Sequence, residues 1–125
     1  MPHVPTFALF TTRMEGWYQS QVWHGAGTAA RMLGVRLVAL IGSSFDGEDQ
    51  SGGPTEIFDL ARASEIDGYV ILSGALGNFS GPEPLEALLA RLPKRPVVSL
   101  GMPLTGASAL LSEGGGMDSI ARHLI

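Results

Sequence analysis

The sequence predicts a three-layer α/β/α sandwich built on a parallel sheet of four to five strands. Two observations carry that expectation. Short apolar runs alternate with stretches of helical hydrophobic spacing along nearly the whole chain, and alternation of this kind implies parallel strands joined by right-handed crossovers. Each run also ends abruptly in small and polar residues, clearest in GYVILSGALGNFSGP (Gly68 to Pro82). In an open parallel sheet, the loops at the carboxyl ends of the strands are where ligands bind.

Thr6 to Phe10 is the first strand. Trp17 to Leu33 has helical spacing, with Val22, Trp23, Ala26, Ala30 and Leu33 on one face, and Gly34 is placed to close it. Arg36 to Ile41 reads as a second buried strand. Gly42 to Gly53 is a polar, glycine-rich loop carrying Asp46, Glu48 and Asp49. Pro54 suits the first position of a second helix, with Ile57, Leu60 and Ala61 inward. Tyr69 to Leu72 is the third strand, apolar enough for burial on both faces. Ser80-Gly81-Pro82-Glu83 matches a capping box with Pro82 inside the helix start. Leu85, Leu88, Leu89 and Leu92 then form the third helical stripe, bracketed by Pro93 and Pro96. Val97 to Leu100 is the fourth strand and Ala109 to Leu111 a short fifth. After Gly114-Gly115-Gly116, the residues Met117, Ile120, Ala121, Leu124 and Ile125 begin another apolar stripe. An apolar face at the very end implies that the chain belongs to something larger or pairs with a second copy.

Composition narrows the function classes. The 125 residues suit one domain, and 45% hydrophobic with 16% charged residues is globular. A net charge of −4 offers no basic face for a phosphate backbone, so no direct nucleic-acid contact is expected. Cysteine is absent, which removes disulfides, thiolate metal sites and a cysteine nucleophile. MPHVPTFALF lacks the layout of a signal peptide, and no apolar run approaches the ~20 residues that span a bilayer. A cytoplasmic protein without membrane contact is the expectation.

Motif by motif, enzyme chemistry finds little support. Gly25-Ala26-Gly27-Thr28-Ala29-Ala30 matches G-x-G-x-x-[GA], but that fingerprint needs a strand immediately before it. Here the preceding residues already read as helix, so the small residues serve close packing. Ser43, Ser73 and Ser99 have no histidine nearby in sequence, and His3, His24 and His123 lack metal-ligand spacing. No catalytic residue, metal or cofactor is expected. Thr11 to Gln19 gathers two hydroxyls, a guanidinium, a carboxylate, two aromatics and an amide, a set able to grip a polar ligand. Trp17 and Tyr18 stand equally as an aromatic platform or as packing against the sheet or a partner subunit.

In this order of elements the chain resembles the N-terminal lobe of the type I periplasmic-binding fold, the sensing domain of LacI-type regulators. VWHGAGTAARMLGVRLVAL resembles the family's first helix and second strand, EIDGYVILSGAL its third strand, and RPVVSLGMPLTGASALLSEGGGMDSIARHLI the passage that leads toward a second lobe. FTTRMEGWYQ, SGALGNFSGPEPLEALLAR and PVVSLGMPLTG resemble a bacterial subgroup in which the sensor precedes diguanylate cyclase or histidine kinase outputs, without a helix-turn-helix. The resemblance implies strand order 2-1-3-4-5 and a non-catalytic role in transcription regulation or signal transduction. It also implies a small-molecule ligand of sugar or nucleoside type held between two lobes, and a homodimer. Candidate ligand residues are Thr12, Arg13, Trp17, Tyr18, Ser43, Ser73, Gly74, Gly101, Met102 and Glu113. The chain departs from the family at two positions that commonly hold ligand: Gly101-Met102 replaces an aspartate after strand four, and Ser112-Glu113 replaces Asp-Asn after strand five. Loss of those groups favours a second reading, a dimerisation module with a degenerate pocket.

Overall fold

A computed structural model describes residues 4–12, 16–43, 55–62, 65–76, 81–107 and 109–111. Five strands form one sheet in the order β2-β1-β3-β4-β5. They are β1 (Thr6–Thr11), β2 (Arg36–Ile41), β3 (Gly68–Ile71), β4 (Val97–Leu100) and β5 (Ala109–Leu111). Every neighbouring pair is parallel. The helices are α1 (Trp17–Leu33), a 3-10 helix (Thr55–Arg62), a single turn α2 (Ser73–Leu76) and α3 (Glu83–Arg91). The expected sandwich and strand order are therefore what the chain adopts.

Strand alternation divides the core into two layers, because successive side chains point to opposite faces. Ala8, Phe10, Tyr69, Ile71 and Val97 face the layer built from the 3-10 helix and α3, where Phe58, Ala61, Leu85 and Leu88 meet them. Leu9, Val70, Leu72 and Leu100 face the other layer, against Val22, Tyr18 and Trp23 of α1. Phe10 sits at the centre of the first layer. Its ring stacks on Phe58 at 5.4 Å and meets Tyr69 edge-on at 5.7 Å. All six residues of β1 are buried, as expected of a strand flanked on both sides and covered on both faces.

Asp67, just before β3, fastens the start of the central pair. Its carboxylate accepts from the Thr6 amide at 2.9 Å and its own amide donates to Thr6 O at 2.7 Å. Helix α1 ends as its sequence foretells. Gly34 adopts a left-handed φ of 70°, and the Val35 amide reaches back to Ala30 O at 3.0 Å, while Gly34 itself donates to Arg31 O.

Several expectations need correction. β2 is not a fully buried strand: its pattern is half-exposed, with Val38 43% accessible, because it forms the outer edge of the sheet. The apolar stripe of α1 stops at Ala30, and Leu33 is exposed. The second helix is 3-10 rather than α. Three residues per turn stack Phe58 on Ala61 and turn Leu60 outward to 62% exposure, so Phe58 takes the inward place expected of Leu60. Pro82 occupies the cap position just outside α3, and among the described residues no side chain caps that helix. The residues after strand three were expected as an open loop, yet Ser73–Leu76 turn once as α2. Pro54, Ser80, most of the Gly42–Gly53 loop and everything after Leu111 lie outside the described residues.

Candidate functional site

Chain order and strand order together define where a crevice forms. From β1 the chain crosses over one face to β2; from β2 onward it crosses over the other face to β3 and β4. The direction reverses between β1 and β3, and a doubly wound sheet opens a cleft at the carboxyl ends beside such a reversal. Thr11, Thr12, Ser43, Ser73 and the start of α1 all belong to that end of the sheet.

On the β3–β4 side the hydroxyls are already committed. Ser73 and Ser99 are both fully buried. The Met102 amide donates to Ser73 Oγ at 2.9 Å, and Ser99 Oγ donates to Met102 O at 2.6 Å. The two hydroxyls lie 2.7 Å apart. The Ser99 proton goes to Met102 O, so the single Ser73 proton serves either Ser99 Oγ or a backbone carbonyl, and the two hydroxyls hold both backbone polar groups of Met102. Leu100 O is a further acceptor within 3.0 Å of Ser73 Oγ. Both polar groups of Met102 are thereby held, and its side chain packs against the α3-side core.

Gly101 and Gly74 complete this closure. Gly101 takes φ 121°, and a Cβ there would stand 2.7 Å from Gly74 N and 2.9 Å from Gly74 Cα. The two backbones meet directly, so Gly101 serves both a left-handed conformation and a close approach. Of the expected ligand residues, Ser73, Gly74, Gly101 and Met102 are thus brought together as one interlocked turn, with Ser73 in the interior rather than at a rim.

On the β1–α1 side the arrangement is looser. Thr12 is buried and its Oγ1 accepts from Gln19 Nε2 at 3.0 Å. Trp17, the first residue of α1, is 79% exposed. Tyr18 is half-buried and packs against the α1-side core, the packing role the sequence left open for it. Ser43 is buried just beyond β2. Arg13 and Glu113 lie outside the described residues. Thr11, which sequence inspection passed over as part of a polar cluster, is fully buried, and its Oγ1 has no hydrogen-bond partner among the described residues. Parity along β1 was the available signal: Thr11 shares the α1 face with Leu9.

A separate opening of about 450 Å³ lies at the opposite, amino end of β3 and β4, between α3 and Thr105-Gly106. Tyr69 and Val97 contribute to its walls, with Leu89, Pro93 and Arg95. The Tyr69 hydroxyl donates to Pro93 O at 2.6 Å, and burial raises its pKa against a smaller opposing influence of Arg95.

The remaining sequence motifs fall where packing explains them. Gly25 to Ala30 lie inside α1, with Ala26 and Ala30 buried against the sheet. His24 is an exposed helix residue. Among the described residues no group of three or more His, Asp or Glu side chains is placed to hold a metal ion, and no helix is long and apolar enough to cross a membrane.

No family model matches the chain. A stretch of 77 residues is 38% identical to part of a probable cobyric acid synthase of Methanoculleus marisnigri (strain ATCC 35101 / DSM 1498 / JR1). The match spans 62% of this chain and 15% of that protein.

Proposed function

We propose that this chain is a ligand-sensing lobe of a bacterial LacI-type transcriptional regulator or signalling protein. The observation that carries the proposal is the reversal of winding between β1 and β3, which gathers Thr12, Ser43 and the aromatic start of α1 at one end of the sheet. The lobe supplies one wall of a cleft and a second lobe the other. A small molecule of sugar or nucleoside type closes the two, and closure biases a homodimer between two states that an output domain reads. The role is binding, without turnover.

The locked Ser73–Ser99–Met102 turn favours a second reading, an interaction module whose pocket has degenerated. One wall of that cleft offers a ligand no spare Ser73 proton. Titration of the full chain with pentoses, hexoses and nucleosides, followed by tryptophan fluorescence and sedimentation, separates the two. The sensor reading expects a saturable response to at least one compound. A dimer indifferent to all of them overturns it in favour of the interaction module.

A further inference from the structure

The opening at the amino ends of β3 and β4 lies at the far end of the sheet from the cleft. Its volume of about 450 Å³ falls in the range of small-molecule pockets. One wall is apolar: Leu89 and Leu92 come from the end of α3, Val97 from the start of β4, and Tyr69 stands beside them. The polar groups of that wall are already provided for. The Tyr69 hydroxyl donates to Pro93 O. The Glu86 carboxylate accepts from the Thr105 amide at 2.5 Å, which ties the facing Thr105-Gly106 turn to α3.

The second feature is charge. Lys94 and Arg95 line the same opening. The Arg95 guanidinium is fixed by carbonyl oxygens: Nε donates to Ile66 O at 3.1 Å and Nη1 to Lys94 O at 2.9 Å. Among the described residues no carboxylate pairs with Lys94 or Arg95, whereas Arg91, in the last turn of α3, has Asp59 at 3.5 Å. Arg95 Nη2 and the Lys94 ammonium are left as donors. Against these two cations the lining holds one carboxylate, Glu86, whose Oε2 is bound to Thr105. The local balance is positive in a chain of net charge −4.

We propose that this opening binds a small amphipathic anion, a carboxylate carried on an apolar body. The body lies against Leu89, Leu92, Val97 and Tyr69, and the carboxylate meets Arg95 and Lys94. A guanidinium presents a planar fork that matches a carboxylate, and the two carbonyl bonds already restrict its side chain, which lowers the ordering cost of binding. Both cations are exposed, so their contribution is screened by salt. The site stands independently of the sensor reading, since it uses none of the cleft residues.

The test titrates the full chain with naphthoate, which has both parts, with acetate, which has the charge alone, and with naphthylmethanol, which has the body alone. Chemical shifts of the Leu89 and Val97 methyl groups and of the Thr105 and Gly106 amides are followed. Naphthoate is expected to saturate these shifts and to bind roughly tenfold tighter than naphthylmethanol, the size of a hydrogen bond to a charged group. Acetate is expected to leave them unmoved. Lys94→Ala and Arg95→Gln should each reduce the advantage of naphthoate over naphthylmethanol while leaving naphthylmethanol binding as it is, a pattern that a folding defect would not produce. Lys94 is exposed, so its variant keeps the test open if Arg95→Gln fails to fold. Ala90→Trp, a filling substitution at an exposed position on the rim, should abolish both responses. Naphthoate that binds no tighter than naphthylmethanol, that shifts none of these four residues, or that is unaffected by Lys94→Ala and Arg95→Gln overturns the site. Each of those results leaves the sensor reading untouched, because that reading is scored on sugars and nucleosides at the other end of the sheet.

Discussion

Tyr69 shows how one residue can couple stability to pH. Its ring fills the α3-side core against Phe10, and its hydroxyl donates to Pro93 O at 2.6 Å. Burial favours the neutral phenol and raises the pKa above the ordinary value of 10.0. In the unfolded chain the phenol ionises at that ordinary value. Between the two pKa values the folded state therefore binds more protons, and stability falls as pH rises. Urea midpoints are expected to hold below pH 10 and to decline above it. Tyr69→Phe should flatten that decline relative to wild type and cost about 1 kcal/mol at neutral pH through the lost hydrogen bond. An unchanged slope above pH 10 in the variant would assign the decline to other groups. The contrast with Ser73 is instructive at the same scale. Both residues were visible as polar groups next to apolar strands, but only the structure shows that Ser73 is held in the interior against Ser99 and Met102 while Tyr69 donates to a proline carbonyl.

The 3-10 helix offers the sharpest test among the elements. Its period of three stacks Phe58 over Ala61 and points Leu60 to solvent. Phe58→Ala should cost about 3–5 kcal/mol, because the emptied space lies against Phe10 in a closed core. Leu60→Ala should stay within roughly 0.5 kcal/mol. Chemical denaturation of the two variants checks this, and the reverse ranking would mean the segment is an α-helix in the period its sequence suggested. Where the sequence was legible, a strong local signal coincided with the tertiary demand. α1 and β2 have their expected bounds, as does β5, because apolar periodicity and closing residues such as Gly34 agree with the packing. Leu60 misled because a short amphipathic stretch fits a period of 3.6 or of 3.0, and the choice falls to whichever face meets Phe10. The candidate site was less legible. Its carboxyl-end location followed from strand order, but the Gly74–Gly101 contact and the unpartnered Thr11 hydroxyl depend on distances between segments far apart in sequence.

At the scale of the whole molecule, sheet order makes β1 the most protected strand and β2 an edge. The direction of each β2 amide follows from the ladder. Arg36 donates to Pro5 O and Gly42 donates to Thr11 O, so even-numbered amides along β2 turn toward β1. Leu37, Ala39 and Ile41 therefore turn theirs outward, and among the described residues no strand pairs with that edge. Open edges of this kind invite a second chain, and exposed Val38 adds apolar surface beside it. Native-state hydrogen exchange separates an open edge from a covered one. In a monomeric chain the amides of residues 37, 39 and 41 should exchange orders of magnitude faster than those of 36, 38 and 40, while β1 and β3 open only with global unfolding. The comparison is internal to one strand, so overall stability cancels. If the odd-numbered amides prove as protected as the even ones, and lose that protection on dilution, the edge is occupied by a second copy and the β2 side is the dimer interface. If they exchange freely at every concentration, any homodimer forms through another face.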